Sequence, residues 1–432
     1  MRTTYPSAQP IRPNASASPL VLPRVRVEGW LVRMVIVIAV LNLNGFFVML
    51  AGVGQVFSPL LLLCCIVYLA LRRVFIIDTA WVLFLMVTIA YLVFGLFFGA
   101  IFIDPATSFH LVPTMVGTIL LVTVIVQHIL SLDRPEEMTA FMKFVRNVAL
   151  VAAFGTLCSP ILYGIYANPP PSSSYRAAGL FANPNQAGLA GLLALALCMA
   201  YPLQNRMMHW AAVALAVMGI LLPFSKTAIL MLLVLAFFAL LNARAIFRLI
   251  FLPPVVLLFL FMVLNPELLI EFVRTQTLFE LHYRQEIRLT AAIMALTGQL
   301  DSEVTTSRTD LVLLSIEKAM EVFPLGTGMN TFHHIYGGIL GYENWLGSHN
   351  TFLMIWGEAG LLPLLIMLTL VITLGYRALR RGADPLVQYF LLIFLAVCMT
   401  SHSTLEVRVT NVMLALMIAV SAGHMTLKRQ TS

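Results

Sequence analysis

The residues with the clearest chemical potential are His349-Asn350, at the mouth of an apolar run, and Arg176, Lys226 and Arg308. A neutral imidazole accepts a proton from a hydroxyl near neutral pH. Arginine binds a diphosphate through paired hydrogen bonds, and lysine binds it as a point charge. These residue types therefore fit a site in which a phosphorylated donor meets a hydroxyl. The alternative for each of them is an ordinary polar residue at the membrane interface.

Other titratable residues offer further alternatives. Asn350 fits a role in orienting His349 or a sugar, and Glu343 is either an alternative base or a solvated loop residue. A metal site formed by His333, His334 and His349 is disfavoured because their spacing is irregular. Glu358 lies inside an apolar run, where a charge has either a pairing role or a cavity-lining role. We expect neither a metal nor a cofactor.

Composition defines the elements that must position these residues. The chain has 432 residues, of which 60% are hydrophobic and only 10% are charged. Apolar runs approach the roughly 20 residues that a helix needs to cross a bilayer, and they lack the alternation of membrane β-strands. The sequence therefore predicts an all-α polytopic membrane protein. The basic residues behind the net charge of +7 are spread between the runs, which argues against nucleic acid as a partner.

Length and apolarity predict about twelve spans. The predicted order is a disordered tail at 1–28, nine spans within 29–265, a loop at 266–349, three spans within 350–427 and an end at 428–432. The spans are predicted near 29–50, 55–71, 79–101, 110–132, 144–166, 185–203, 207–223, 227–243, 248–265, 350–375, 386–401 and 409–427.

The positive-inside rule orients this arrangement. With both termini in the cytoplasm, eighteen of the 26 Lys and Arg residues fall on the cytoplasmic side. The eight outward ones are Arg176, Lys226, Arg274, Arg284, Arg288, Arg308, Lys318 and Arg408. Five of them lie in the loop at 266–349, where the rule has little force. That loop is too long for a passive connection, and its pattern predicts surface helices within 267–299 and a helix from Ser307 to about Glu321.

Several short blocks resemble one known family. His349-Asn350, nine residues and Gly360 resemble the signature of bacterial O-antigen ligases. Pro324-Leu-Gly-Thr-Gly-Met-Asn, Thr306-Ser-Arg308 and Ser225-Lys226 are similar to blocks of the wider ligase and polymerase superfamily. The predicted topology, with one large periplasmic loop before the last spans, resembles that of the same superfamily and of GT-C-like glycosyltransferases.

The resemblance implies a metal-independent, inverting glycosyltransferase of lipopolysaccharide biosynthesis in the bacterial inner membrane, with a periplasmic site. Its donor would be an undecaprenyl-diphosphate-linked O-antigen, and its acceptor would be a hydroxyl of the lipid A core oligosaccharide. His349 would be the general base, and Arg308 and Lys226 would neutralise the diphosphate. The family usually has arginine where this chain has Lys226, so Arg176 is expected to carry more of the phosphate binding.

Three other functions remain open. An O-antigen polymerase and a protein O-oligosaccharyltransferase share the chemistry and differ in their acceptors. A transporter or flippase for lipid-linked sugars belongs to another class and predicts ionisable groups deep in several spans. The concentration of candidate charges on the outward face favours an enzyme.

Overall fold

The fold is taken from a computed structural model. It describes residues 21–53, 56–102, 109, 111–170, 176–241, 253–254, 257, 260–261, 264–275, 283–296, 308–333, 347–380, 382–401 and 404–431. Within these ranges the regular structure is helical, with no strand. The helices are α1 (Val21–Val40), α2 (Leu43–Ala51), α3 (Phe57–Leu71), α4 (Thr79–Phe102), α5 (Val112–Leu130), α6 (Pro135–Leu157), α7 (Ser159–Ile165), α8 (Pro184–Ala200), α9 (Arg206–Leu221), α10 (Lys226–Leu241), α11 (Pro266–Thr275), α12 (Tyr283–Leu296), α13 (Arg308–Glu321), α14 (Thr351–Ala359), α15 (Leu361–Leu379), α16 (Pro385–Thr400) and α17 (Arg408–Thr431).

Several of these helices are apolar enough to lie in a membrane. Within the described ranges, α4, α5, α6 and α15 have the length and hydropathy to cross a bilayer, and the bent pair α1–α2 adds a fifth candidate. Five further apolar helices are shorter, namely α3, α8, α9, α10 and α16, and so is the apolar part of α17, Arg408–Gly423. Large apolar side chains such as Trp30, Ile161 and Met207 are exposed on the surface, as expected of side chains that face lipid. The chain is therefore a helical, membrane-embedded protein, and the number of twelve spans stays a prediction.

Three predicted spans are interrupted. The span at 29–50 breaks into α1 and α2, which meet at 53° beside the left-handed Asn42. The span at 144–166 divides into α6 and α7, and the span at 350–375 breaks at Gly360, whose φ of 87° is outside the helical range. Helix α1 also begins at Val21, inside the tail predicted at 1–28, and α17 continues through most of the predicted end at 428–432. The predicted span at 248–265 falls mostly outside the described residues.

Two helices form the centre of the bundle. Residues 187–198 of α8 and 412–420 of α17 are buried on every side. A helix that is hydrophobic all round is expected at the centre of a bundle. Helix α8 is rich in Gly and Ala, which lets α6, α9 and α10 pack closely against it. Helix α17 packs against α5, α16 and α1.

Polar contacts mark the two ends of the bundle. At one end, called the tail end, Arg377 of α15 binds both carboxylate oxygens of Asp78 at 2.8 and 3.1 Å. Also at the tail end, Arg72, which follows α3, lies 3.6 Å from Glu28 of α1. The opposite end, called the loop end, carries residues 322–333, residues 347–350 and the starts of α14 and α17. In the topology predicted from charge, the loop end faces outward.

The predicted loop helices have counterparts. Helices α11 and α12 lie within the segment 267–299 or at its edge, and α13 ends at Glu321 as predicted. Ser307, the predicted first residue of α13, lies outside the described residues. Helix α13 packs against α14, so the loop segment is docked onto the helix that follows it.

Candidate functional site

Arg176 is buried beside a tight turn at the loop end. Its side chain is 7% exposed, its Nε donates to the Pro223 carbonyl at 2.7 Å, and its Nη2 donates to Asn185 Oδ1 at 2.7 Å. The neighbouring backbone is fixed as well, because Tyr163 donates its hydroxyl to the Arg176 carbonyl at 2.8 Å. Asn183 caps the start of α8, because its side-chain oxygen accepts a hydrogen bond from the Asn185 amide. Arg176 is therefore held in a set position between α8 and the turn before α10.

Lys226 is the first residue of α10 and follows this turn directly. Phe224, two residues before it, has a φ of 48°. A left-handed conformation costs an ordinary residue roughly 1–2 kcal/mol, and such residues cluster at functional sites. The Ser225 hydroxyl accepts from the Ala228 amide at 3.5 Å, at the start of the helix. The bond from Arg176 to Pro223 places Arg176 beside the turn that Lys226 follows.

His349 and Asn350 form the entrance to α14. His349 is half-buried and has a φ of 47°, the left-handed region again. The side-chain oxygen of Asn350 accepts from the Phe352 and Leu353 amides at 3.0 and 3.1 Å. Asn350 is thus the N-cap of α14. Its side-chain oxygen, which could have oriented His349 or a sugar, already accepts hydrogen bonds from the backbone of this helix.

The end of α16 connects these two groups. Thr400 lies 3.1 Å from Thr227, the residue after Lys226. Met399, the residue before Thr400, accepts a weak bond at 3.9 Å from the Asn350 side chain. The Ser401 carbonyl accepts from the Thr351 hydroxyl at 2.6 Å. Residues 399–401 thus contact both Thr227, next to Lys226, and the start of α14 after His349, and Arg176 bonds to Pro223 in the turn before Lys226.

Of the remaining predicted site residues, the structure describes only the backbone position of Arg308. Arg308 is the first residue of α13, where backbone N–H groups lack helical partners. Its side chain lies outside what the structure describes, as do Glu343 and His334. Among the described residues, no three His, Cys, Asp or Glu side chains form a metal-binding group.

Glu358 lies at the centre of a second polar cluster, which the sequence did not reveal. It is fully buried, and its carboxylate accepts from the Phe332 amide at 2.8 Å and contacts His333 Nδ1 at 3.0 Å. The Tyr91 hydroxyl of α4 donates a short hydrogen bond to its other oxygen. The second ring nitrogen of His333 makes a short contact with Glu406, in the turn before α17. Of the two roles open for Glu358, the structure shows the pairing role.

The charge state of His333 follows from these partners. Burial lowers the pKa of its imidazole, but the two carboxylates, Glu358 above all, raise it further, to about 10. His333 is therefore an imidazolium at neutral pH and already holds the proton that a general base must accept. These partners therefore make His333 unsuited to act as a base.

The turn at 324–328 also docks onto the end of α14, where the helix breaks at Gly360 and leaves carbonyl groups free to accept hydrogen bonds. The last carbonyls of a helix lack intrahelical partners. Those of Gly357 and Glu358 accept from the Thr327 and Gly328 amides at 2.8 and 3.0 Å. A Cβ at Gly326 would lie 2.3 Å from the Glu358 carbonyl oxygen, so only glycine allows this approach. The block Pro324 to Gly328 is thus a docking surface for the end of α14.

Sequence reasoning missed Tyr91 and Glu406 and gave His333 only a metal role. Glu358 was the available signal, because a carboxylate within an apolar run requires a buried donor. Identifying these partners needed the tertiary contacts of α4 and of the turn before α17. Tyr91 precedes Glu358 by 267 residues, and Glu406 follows Glu358 beyond α15 and α16.

No protein-family model, no curated protein and no solved structure matches this chain.

Proposed function

We propose that this protein is a glycosyltransferase that uses a lipid-diphosphate donor, and specifically an O-antigen ligase. It would transfer O-antigen glycan from undecaprenyl diphosphate to a hydroxyl of the lipid A core oligosaccharide, at the periplasmic face of the inner membrane. The proposal is supported by the contacts of Thr227 and Asn350 with Thr400 and Met399, and by the bond from Arg176 to Pro223 in the turn before Lys226. This proposal carries with it the twelve-span, GT-C-like architecture and the periplasmic orientation of the loop end.

The proposed reaction is a single displacement. The acceptor hydroxyl gives its proton to the His349 imidazole while its oxygen attacks the anomeric carbon of the donor sugar. The bond from that carbon to the diphosphate oxygen breaks, and undecaprenyl diphosphate leaves with the electron pair. Attack opposite the leaving group inverts the anomeric centre.

The cations supply the stabilisation that this displacement needs. Negative charge grows on the departing diphosphate, and fixed positive groups in a site shielded from water stabilise it. Arg176 is suited to this role because its side chain is buried and its Nε and Nη2 atoms are already oriented by Pro223 and Asn185. Lys226 adds a point charge at the start of α10, after the same turn, and Arg308 would add its charge at the positive start of α13.

The decisive experiment is an in vitro transfer assay with purified protein, lipid-diphosphate glycan and lipid A core acceptor. We expect His349→Ala to abolish transfer while donor binding remains. The matched control is His209→Ala, which removes a histidine from α9, near its start at Arg206. Full transfer by the His349→Ala protein would refute the general-base assignment.

The same assay tests the phosphate-binding residues. We expect Lys226→Ala to reduce the rate about 100-fold or more. Lys226→Arg should keep or raise the rate, because arginine offers paired donors to the diphosphate. Equal rates for wild type and Lys226→Ala would remove Lys226 from the proposed site.

The acceptor distinguishes a ligase from its chemical relatives. Wild-type protein is offered the lipid A core, a second lipid-linked donor glycan, or an acceptor protein, each with the same donor. A ligase modifies the core, a polymerase extends the second donor, and a protein oligosaccharyltransferase modifies the polypeptide. A flippase would move the donor across a vesicle membrane without forming any of these products.

A further inference from the structure

The backbone is held by hydrogen bonds on both sides of His349. The Ser348 amide donates to the Phe332 carbonyl at 3.0 Å, and Ser348 is fully buried. On the other side, Asn350 caps the start of α14. His349 itself has a φ of 47°, a conformation that an ordinary residue keeps only where the surrounding structure fixes it. The orientation of the His349 imidazole therefore depends on where the Phe332 carbonyl lies.

Phe332 is in turn fixed by the end of α14. Its amide donates to the Glu358 carboxylate at 2.8 Å, and the residue is buried. The tip of its ring lies over Gly357, where an added Cβ would meet three ring atoms at 2.2 to 2.4 Å. The two polar backbone groups of Phe332 thus have different partners, since the N–H group bonds to Glu358 and the carbonyl bonds to Ser348. Phe332 links Glu358 to the residue before His349.

Glu358 is itself a fixed acceptor. It is fully buried, and the oxygen that accepts from the Phe332 amide also lies 3.0 Å from His333 Nδ1. The Tyr91 hydroxyl of α4 donates a short hydrogen bond to the other oxygen. The second ring nitrogen of His333 contacts Glu406, so the carboxylate is held from α4 and from the turn before α17. Supporting hydrogen bonds of this kind keep a reacting group within the small tolerance that catalysis requires.

We propose that Glu358 is a positioning residue for His349, which it orients through the Phe332 backbone and the Ser348 amide. Because Glu358 is fully buried, it acts through His349 and not on the substrates themselves. The consequence for catalysis rests on the proposed function, in which His349 accepts the proton of the acceptor hydroxyl. The orientation of the imidazole does not depend on that function and is measured separately.

The first test follows the His349 imidazole by NMR of the purified full chain in detergent, with histidine labelled at the Cε1 carbon. The His349 signal is identified by its absence from the His349→Ala protein. We expect Glu358→Ala to shift this signal by more than its linewidth, because the Phe332 amide loses its acceptor. The matched control, Glu321→Ala, removes an exposed carboxylate at the end of α13 and should leave the signal in place. An unshifted His349 signal in folded Glu358→Ala protein would overturn the proposal.

Glu358→Gln separates the hydrogen bond from the charge. Glutamine has nearly the same shape, and its side-chain oxygen accepts from an amide as a carboxylate oxygen does. Its NH2 group would then donate to the Tyr91 hydroxyl, whose oxygen is also an acceptor. We expect the His349 signal of Glu358→Gln to stay near its wild-type position. A shift as large as that of Glu358→Ala would show that the Phe332 amide bond does not orient His349, and it would overturn the assignment.

The transfer assay measures the catalytic consequence at a temperature where every variant is folded. Displacing a reacting group by about 1 Å costs roughly 100-fold in rate. Glu358→Ala should therefore lower kcat by about 100-fold, and Glu358→Gln should recover most of it. KM for the donor should stay within about threefold of wild type, because the cations that bind the diphosphate are unchanged. An effect of Glu358→Ala on KM alone, with wild-type kcat, would contradict the positioning role.

The two measurements distinguish this inference from the proposed function. If His349→Ala transfers at the full rate while Glu358→Ala shifts the His349 signal, the general-base assignment fails and the orientation of His349 by Glu358 stands. If His349→Ala is inactive while Glu358→Ala keeps the wild-type signal and kcat, the positioning role fails and the general-base assignment stands.

Discussion

Replacing Glu358 by alanine tests the buried polar cluster most directly. The substitution removes the acceptor of the Tyr91 hydroxyl, the Phe332 amide and His333 Nδ1, all within a fully buried volume. Removing one partner of a buried ion pair costs roughly 3–5 kcal/mol. With an unfolding entropy of about 2.1 cal/mol/K per residue, this loss lowers the Tm by about 4 °C for a chain of this length.

The assay is thermal unfolding of the purified protein in detergent, combined with amide hydrogen exchange at Phe332. We expect the lower Tm together with faster exchange of that amide, since Glu358 is its acceptor. The matched control is Glu321→Ala, which removes an exposed carboxylate that lies 2.6 Å from Lys318. An exposed ion pair contributes little, so the control should keep the wild-type Tm. A Glu358→Ala protein with wild-type Tm and wild-type exchange at Phe332 would refute the pairing role.

Two further predictions concern residues near the same anchors. The pKa of His333 is raised from 6.5 to about 10, so its stabilising contribution is full below pH 6.5 and is lost as the pH rises towards 10. The Tm of wild type should therefore fall more steeply over that interval than the Tm of His333→Gln, and parallel curves would contradict the charged state between Glu358 and Glu406. Asn350→Ala should lower the free energy of unfolding by about 1 kcal/mol, because the N-cap of α14 is lost. Asn350→Asp should keep most of that stability, and thermal unfolding measures both variants. Equal losses in the two variants would argue against the capping role.

The helical architecture was predictable from composition and from the length of the apolar runs. An apolar run leaves a helix as the only spanning form that satisfies its own backbone hydrogen bonds. The breaks within the predicted spans were not predictable from composition and run length. Gly360 sits within an apolar run, and its positive φ accompanies the docking of residues 324–328 onto the end of α14, a tertiary contact that composition does not reveal.

The candidate site was predictable residue by residue but not as an arrangement. Arg176, Lys226 and His349 could be selected because charged and titratable residues are scarce in the outward segments. The contacts that bring Thr227 and Asn350 to one segment depend on the end of α16, which carries no charged residue and gave no signal of its own. The role of Asn350 as a cap likewise became visible only with the geometry of α14.

The sequence by itself determined that this is a helical membrane protein, and it predicted an outward loop ending at His349 and the side chains that the proposed transfer would use. These properties depend on local composition and on the cost of burying backbone and charge in lipid. The tertiary structure alone decided the partners of Glu358 and the charge state of His333. Those features depend on contacts between helices far apart in the chain, and a local pattern carries no information about which helices become neighbours.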